Sequence, residues 1–184
     1  MNKYMILCAV GKNRLGIVDD VTTFLLEKNT NIEDSSMVTL GGRFSIMCLF
    51  SCSSEALENV KDGLENLIEL GLTTALYEAE NPELIKSEDR ITFTLDVISM
   101  DYPGIVQKIV HILKEHNVCI KSLDTQTGAT PHSGAPLFDL KLKADIPASQ
   151  TIDRIREELN NIASDLNLDM TLITDSINEA AVKK

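Results

Sequence analysis

Asp101-Tyr102-Pro103-Gly104-Ile105-Val106 closes a run of strand-like alternation and opens a stretch of helical period. A relative of it, Asn13-Arg14-Leu15-Gly16-Ile17-Val18, stands 88 positions upstream (101 − 13). At that fixed offset Leu7 meets Leu95, Gly16 meets Gly104, Ile17 meets Ile105, Val18 meets Val106, Glu27 meets Glu115, Asn29 meets Asn117 and Ile32 meets Ile120. So many identities in one register mark an internal duplication of a strand-turn-helix corner. Function is then sought where the corners meet a ligand.

Outward from the corners, both halves read alike. Lys3 to Val10 is a strand, apolar at nearly every position and so expected to lie centrally in its sheet, and Gly11 is read as its break. From Gly16 the period becomes helical, with Val18, Val21, Phe24 and Leu25 on one face until Asn29-Thr30-Asn31. Ile32 to Leu40 and Phe44 to Phe50 are strands joined by the hairpin signal Gly41-Gly42. Ser53 opens a second helix whose buried face is Leu57, Val60, Leu64 and Leu67, Gly71 stops it, and Leu72 to Tyr77 is a fourth strand.

Glu78 to Asp89 is polar, contains Pro82 and reads as a linker. The order then returns: strand 91–99, helix 104–116, strands 118–127 and 137–144, helix 151–166 with Ile152, Ile155, Leu159 and Ile162 inward, and strand 168–174. The register slips where the second copy inserts Gly128 to Pro136 in place of the two hairpin glycines. Each half is β-α-β-β-α-β, so the fold class is α+β: two ferredoxin-like domains, each a four-stranded antiparallel sheet with two helices on one face. The boundaries expected are 1–80 and 90–176, with a linker at 81–89 and a flexible tail at 177–184.

Bulk composition narrows the function. With 28 acidic against 17 basic residues the formal charge is −11, which repels a phosphate backbone and disfavours direct nucleic-acid binding. An aromatic content of 4% without Trp also argues against an RNA-binding sheet. Cys8, Cys48, Cys52 and Cys119 have no metal-ligand spacing and three lie in apolar runs, which points to a reducing compartment and to no metal. No apolar run approaches the roughly 20 residues of a membrane span. The expected location is cytoplasmic.

The corner permits one kind of chemistry. Asp101 is placed to cap the following helix, Pro103 presets φ in its first turn, and Gly104 lets another group approach the backbone. The alternatives are a well-made strand-to-helix turn and a receptor for a small zwitterion. In the second, the N–H groups of residues 104–106 take a carboxylate while Asp101, or Asn13 in the first copy, accepts from an ammonium. Asn31 and Cys119 open the second strand of each copy and are expected beside the corner, where Asn31 could bond a ligand and Cys119 hardly could.

The sequence resembles a tandem pair of ACT domains, regulatory amino-acid-binding modules whose first corner commonly reads Asp-Arg-Pro-Gly-Ile-Val. Asp101-Tyr102-Pro103-Gly104-Ile105-Val106 matches at all but the second place. Asn13-Arg14-Leu15-Gly16-Ile17-Val18 keeps Arg14, Gly16, Ile17 and Val18 but has Asn13 for the acid and Leu15 for the proline. The resemblance covers about residues 3–175, and the long loop ahead of Pro136-Leu137-Phe138, with Pro147 further on, is similar to the glycine cleavage repressor group. It implies ligand contacts from Asn13, Leu15, Gly16, Ile17, Val18 and Asn31, and from Asp101, Pro103, Gly104, Ile105 and Val106. It also implies a small amino acid such as glycine or serine as ligand, held where a corner meets a neighbouring domain, a partner regulator protein, a homo-oligomer, and no cofactor.

An enzyme is the first rival. His111 falls in a helix, His116 at its end and His132 in a loop, Asp19-Asp20 and Glu157-Glu158 are adjacent acids that cannot converge, and no nucleophile or phosphate-loop spacing occurs. The other rivals are an ACT scaffold with decayed ligand sites that acts only through protein contacts, and a regulatory subunit of an amino-acid metabolic enzyme.

Overall fold

The computed structural model describes residues 2–84, 90–129, 136–149 and 151–174. The chain divides into two compact units, Met1–Lys86 and Ser87–Lys184. The first is β1 (Lys3–Lys12), α1 (Ile17–Glu27), β2 (Asn31–Leu40), β3 (Arg43–Cys52), α2 (Ser54–Glu69) and β4 (Leu72–Ala79), followed by a 3-10 turn at Pro82–Leu84. The second repeats it as β5 (Arg90–Met100), α3 (Ile105–Glu115), β6 (Cys119–Ala129), β7 (Pro136–Pro147), α4 (Ile152–Leu166) and β8 (Asp169–Thr174). Each unit is thus the ferredoxin-like α+β fold expected of it. The sheet orders are β2-β3-β1-β4 and β6-β7-β5-β8, every pairing antiparallel.

Burial alternates along the central strands because successive side chains point to opposite faces of a sheet. Met5, Leu7 and Ala9 of β1 join Ile46, Cys48 and Phe50 of β3 and Val21, Phe24, Leu25, Val60 and Leu67 of the helices in one core. Phe93, Leu95, Val97, Leu140, Leu142, Ile109, Leu113, Ile155 and Leu159 form its counterpart in the second unit. Val18, expected on the buried face of α1, is exposed, and Ile17 takes that place. Ser53 caps α2 as expected, its hydroxyl accepting from the Ala56 N–H at 3.1 Å.

Two local readings are corrected. Gly11 does not break β1: it pairs with Phe44 on one side and Leu72 on the other. A Cβ there would lie 2.9 Å from the Gly71 carbonyl oxygen and 2.8 Å from Leu72 Cδ2, so the glycine admits a close neighbour and terminates nothing. The fourth strand likewise continues past Tyr77 to Ala79, where it pairs with Tyr4. The remainder of the expected linker, residues 85–89, lies outside the described residues, as do the tip of the long loop with His132 and the tail from residue 175.

Candidate functional site

Each corner is built on a glycine in the left-handed region. Gly16 has φ 83° and Gly104 φ 95°, each stands at the N-cap of its helix, and neither helix start has a side-chain cap. Nothing lies within 4 Å of a Cβ built on either, so backbone conformation alone selects glycine there. Asp101 therefore does not cap α3, and Pro103 precedes the helix instead of occupying its first turn, which corrects the expectation for both. Gly104 itself occupies the N-cap, which leaves Asp101 three residues ahead of the capping position.

Both corners are tied to the same neighbour. The Asn13 N–H donates to the Gly42 carbonyl at 3.0 Å, and the Asp101 N–H to the Pro136 carbonyl at 3.3 Å. Each corner therefore sits against the arm that joins the second and third strands of its own sheet. The first α-helical bonds run from the Asp20 N–H to Gly16 O at 2.9 Å and from the Lys108 N–H to Gly104 O at 3.0 Å. Ahead of them the N–H groups of residues 105–107 lie in the turn where a helix has no carbonyl of its own to bond. In the first copy one of these, on Ile17, reaches Arg14 O at 3.4 Å.

The site residues divide by role. Ile17 and Ile105 are core side chains, 4% and 2% exposed, so only their backbones can meet a ligand. Asn13, Leu15, Gly16, Asp101, Pro103 and Gly104 are exposed at the corners, with Val18 and Val106 on the first helical turns. The corners differ in charge. Arg14 forms an ion pair with Asp20 at 2.5 Å and reaches the Leu70 carbonyl at 3.5 Å, and Asp19 and Asp20 both lie in the first turn of α1. The first turn of α3 carries no acid. A carboxylate arriving at the second helix start meets the positive end of its dipole with no acid in the first helical turn.

Asn31 and Cys119 are not beside the corners. Asn31 pairs with Ser51 and Cys119 with Asp145, at the end of each sheet opposite the corner. The helix carries the chain back down the sheet before the second strand begins, so about ten residues at ~3.3 Å, roughly 30 Å, separate the two places. That far edge holds a polar cluster that the linear sequence did not reveal. Asn31 Nδ2 and Ser51 Oγ both donate to Glu33 Oε1, at 3.0 and 2.5 Å. The Ser51 bond first and the Asn31 bond second hold the Glu33 carboxyl below its usual range. In the second unit Thr92 Oγ1 donates to Asp145 Oδ1 at 2.8 Å and Lys121 Nζ lies 3.0 Å from Asp145 Oδ2. Burial pushes the Asp145 carboxyl up, but the bonds from Thr92 and Lys121 and the charges of Lys121 and Arg90 outweigh it and leave it lowered. Glu33 and Lys121 are both the extra residue of a bulge, between Ile32 and Asp34 and between Ile120 and Ser122. The signal that could have found them was the offset itself, since 33 + 88 is 121.

Also at the end away from the corner, His116 Nε2 lies 3.0 Å from Glu158 Oε2 in an open cleft of about 640 Å³ lined by Glu115, Ser149, Thr151 and Arg154. Among the described residues no group of His, Cys, Asp and Glu is placed to hold a metal, and no helix is long and apolar enough to cross a membrane. All four cysteines are free.

Residues 3–77 match the ACT domain family. Over 171 residues the chain is 25% identical to the glycine cleavage system transcriptional repressors of Escherichia coli (strain K12) and Shigella flexneri, spanning 89% of this chain and 86% of theirs. Among solved structures, a protein of unknown function from Galdieria sulphuraria superposes with a TM-score of 0.83 at 24% identity, covering 95% of this chain and 99% of that one. A provisionally assigned glycine cleavage system transcriptional repressor superposes with a TM-score of 0.69 at 22% identity, covering 95% and 98%. The first unit thus matches the ACT domain family, the second repeats its fold, and the chain is similar over most of its length to the glycine cleavage system transcriptional repressors.

Proposed function

We propose that this chain is a cytoplasmic, non-enzymatic sensor of a small amino acid, glycine or serine in size, that modulates transcription or metabolism through a partner protein. The observation that carries the reading is the second corner, where exposed Asp101 stands beside a left-handed Gly104 and a helix start without a first-turn acid. Its N–H groups suit the ligand's carboxylate and Asp101 its ammonium. A partner is required because the net charge of −11 opposes direct contact with nucleic acid.

The first corner favours a second role. Leu15 is 101% exposed at its tip and Arg14 is already paired with Asp20, a combination that suits contact with another protein better than capture of a zwitterion. The two corners then divide the work, one sensing and one transmitting.

A thermal-shift screen of the purified chain against the common amino acids tests the reading. A ligand at a hundredfold excess over its dissociation constant stabilises by about 2.7 kcal/mol. Asp101→Ala is expected to abolish that response while leaving the unliganded melting temperature unchanged. A chain that responds to no amino acid contradicts the sensor and leaves the scaffold reading.

A further inference from the structure

The helix-free faces of the two sheets are chemically unlike. In the first unit the residues facing away from the helices run, across β2-β3-β1-β4, as Val38-Ser45-Val10-Thr73, Ser36-Met47-Cys8-Ala75 and Asp34-Leu49-Ile6-Tyr77. Met47 is 52% and Tyr77 58% exposed. Charge is confined to two ends: Lys12 and Arg43 beyond the Val10 row, Glu33 and Asp34 at the opposite corner of β2. In the second unit the middle row is Asp124-Lys141-Asp96-Thr171, charged at its centre.

We propose that the helix-free face of the first sheet is where two copies of this chain meet, each presenting the same face across a two-fold axis. Three features select a second copy. An apolar centre with a charged rim is the anatomy of a protein interface. The size suffices: strands of 8–10 residues at ~3.3 Å rise, four abreast at ~4.8 Å, make a face of roughly 600 Å². Two such faces bury about 1,200 Å², where specific association begins. The rim is also complementary to itself. An axis running across the strands through the Met47-Cys8 row lays the Lys12-Arg43 end of one copy over the Glu33-Asp34 end of its partner. An axis along the strands would instead set Arg43 over Lys12 and repel. The face is uncharged at its centre, so it has no feature that would select a charged partner in preference to itself.

The test is light scattering of the full chain during size exclusion from 1 to about 100 µM, a range that brackets dimers of moderate affinity. The native chain is expected at twice its chain mass. Met47→Lys, at a half-exposed position, is expected to raise the dimer dissociation constant about 100-fold or more by burying two like charges, with the melting curve of the diluted monomer unchanged. Thr94→Lys, which adds a lysine to the helix-free face of the second sheet at the counterpart of Ile6, is expected to leave the mass as it was. Lys12→Glu and Asp34→Lys should each weaken association and together restore it. A native monomer throughout the range, or a Met47→Lys chain that remains dimeric, overturns the proposal. A dimer lost with Met47→Lys, together with a Lys12→Glu, Asp34→Lys double variant that associates no better than either single variant, overturns the orientation of the axis.

Discussion

The two units share a backbone plan and differ in where they keep their charges. At the far edge of the first sheet the carboxylate belongs to the bulge residue, Glu33, and the third strand supplies the hydroxyl of Ser51. In the second unit the bulge residue is Lys121 and the carboxylate has moved to the third strand as Asp145, the counterpart of Ser51. What stays constant is the bulge and one bridge from it to the strand alongside. The same rule holds at the corners. Gly16 and Gly104 keep the left-handed turn, while the ions around them differ, with Arg14 and Asp20 at one and Asp101 at the other. Duplication preserved the geometry that positions groups and left the groups free to change.

The largest effect is expected at Gly11, whose counterpart at the 88-residue offset is Ser99. Gly11→Ser places a Cβ 2.9 Å from a backbone oxygen that cannot swing aside, so a loss of about 2–3 kcal/mol is expected in urea unfolding. Next comes Asp145→Ala, which strips the Thr92 hydroxyl and Lys121 of their shared acceptor and should cost about 1–2 kcal/mol. Because the folded Asp145 carboxyl is lowered, its stabilisation is complete above the unfolded value of 3.8 and is lost as pH falls through the folded value beneath it. The difference between native chain and Asp145→Asn should accordingly shrink in acid below about pH 4 and be flat from pH 5 to 8. Gly16→Ala and Gly104→Ala should each cost about 1 kcal/mol, the same in both units, since both are strained by φ and neither is crowded. The smallest effect is expected of Ser51→Ala, a smaller change in the urea midpoint than either glycine substitution gives, because Glu33 is exposed and water can replace the hydroxyl.

The element order was legible because burial period and turn residues report local structure, and the repeat doubled every signal. Asn29 and Asn117 end their helices in the left-handed region, at φ 56° and 53°, where the repeated asparagine had marked a stop. Gly11 was misread because an isolated glycine looks the same whether it ends a strand or makes room for the carbonyl of Gly71, some 60 residues away. Asn31 and Cys119 were placed at the wrong end because closeness in sequence to a helix says nothing about which end of the sheet the helix returns to. The Glu33-Ser51 and Lys121-Asp145 bridges join residues 18 and 24 apart, and only the strand register brings them together.

The charge patterns of the sheet faces were present in the alternation all along. Ile6, Cys8 and Val10 stand where the second copy has Thr94, Asp96 and Ile98, so only their pairing with β3 and β7 shows one face apolar and the other charged.

An amino acid that docks at a glycine-turned helix start perturbs the amides of that turn. Amide chemical shifts of the ¹⁵N-labelled chain, followed while the ligand from the thermal screen is titrated in, address that docking most directly. Saturable shifts are expected at Gly104 to Lys108, and they are expected to be absent in Asp101→Ala. Shifts centred instead on Asn31, Glu33 and Lys121 at the far edge, or none at saturating ligand, would contradict docking at the corner.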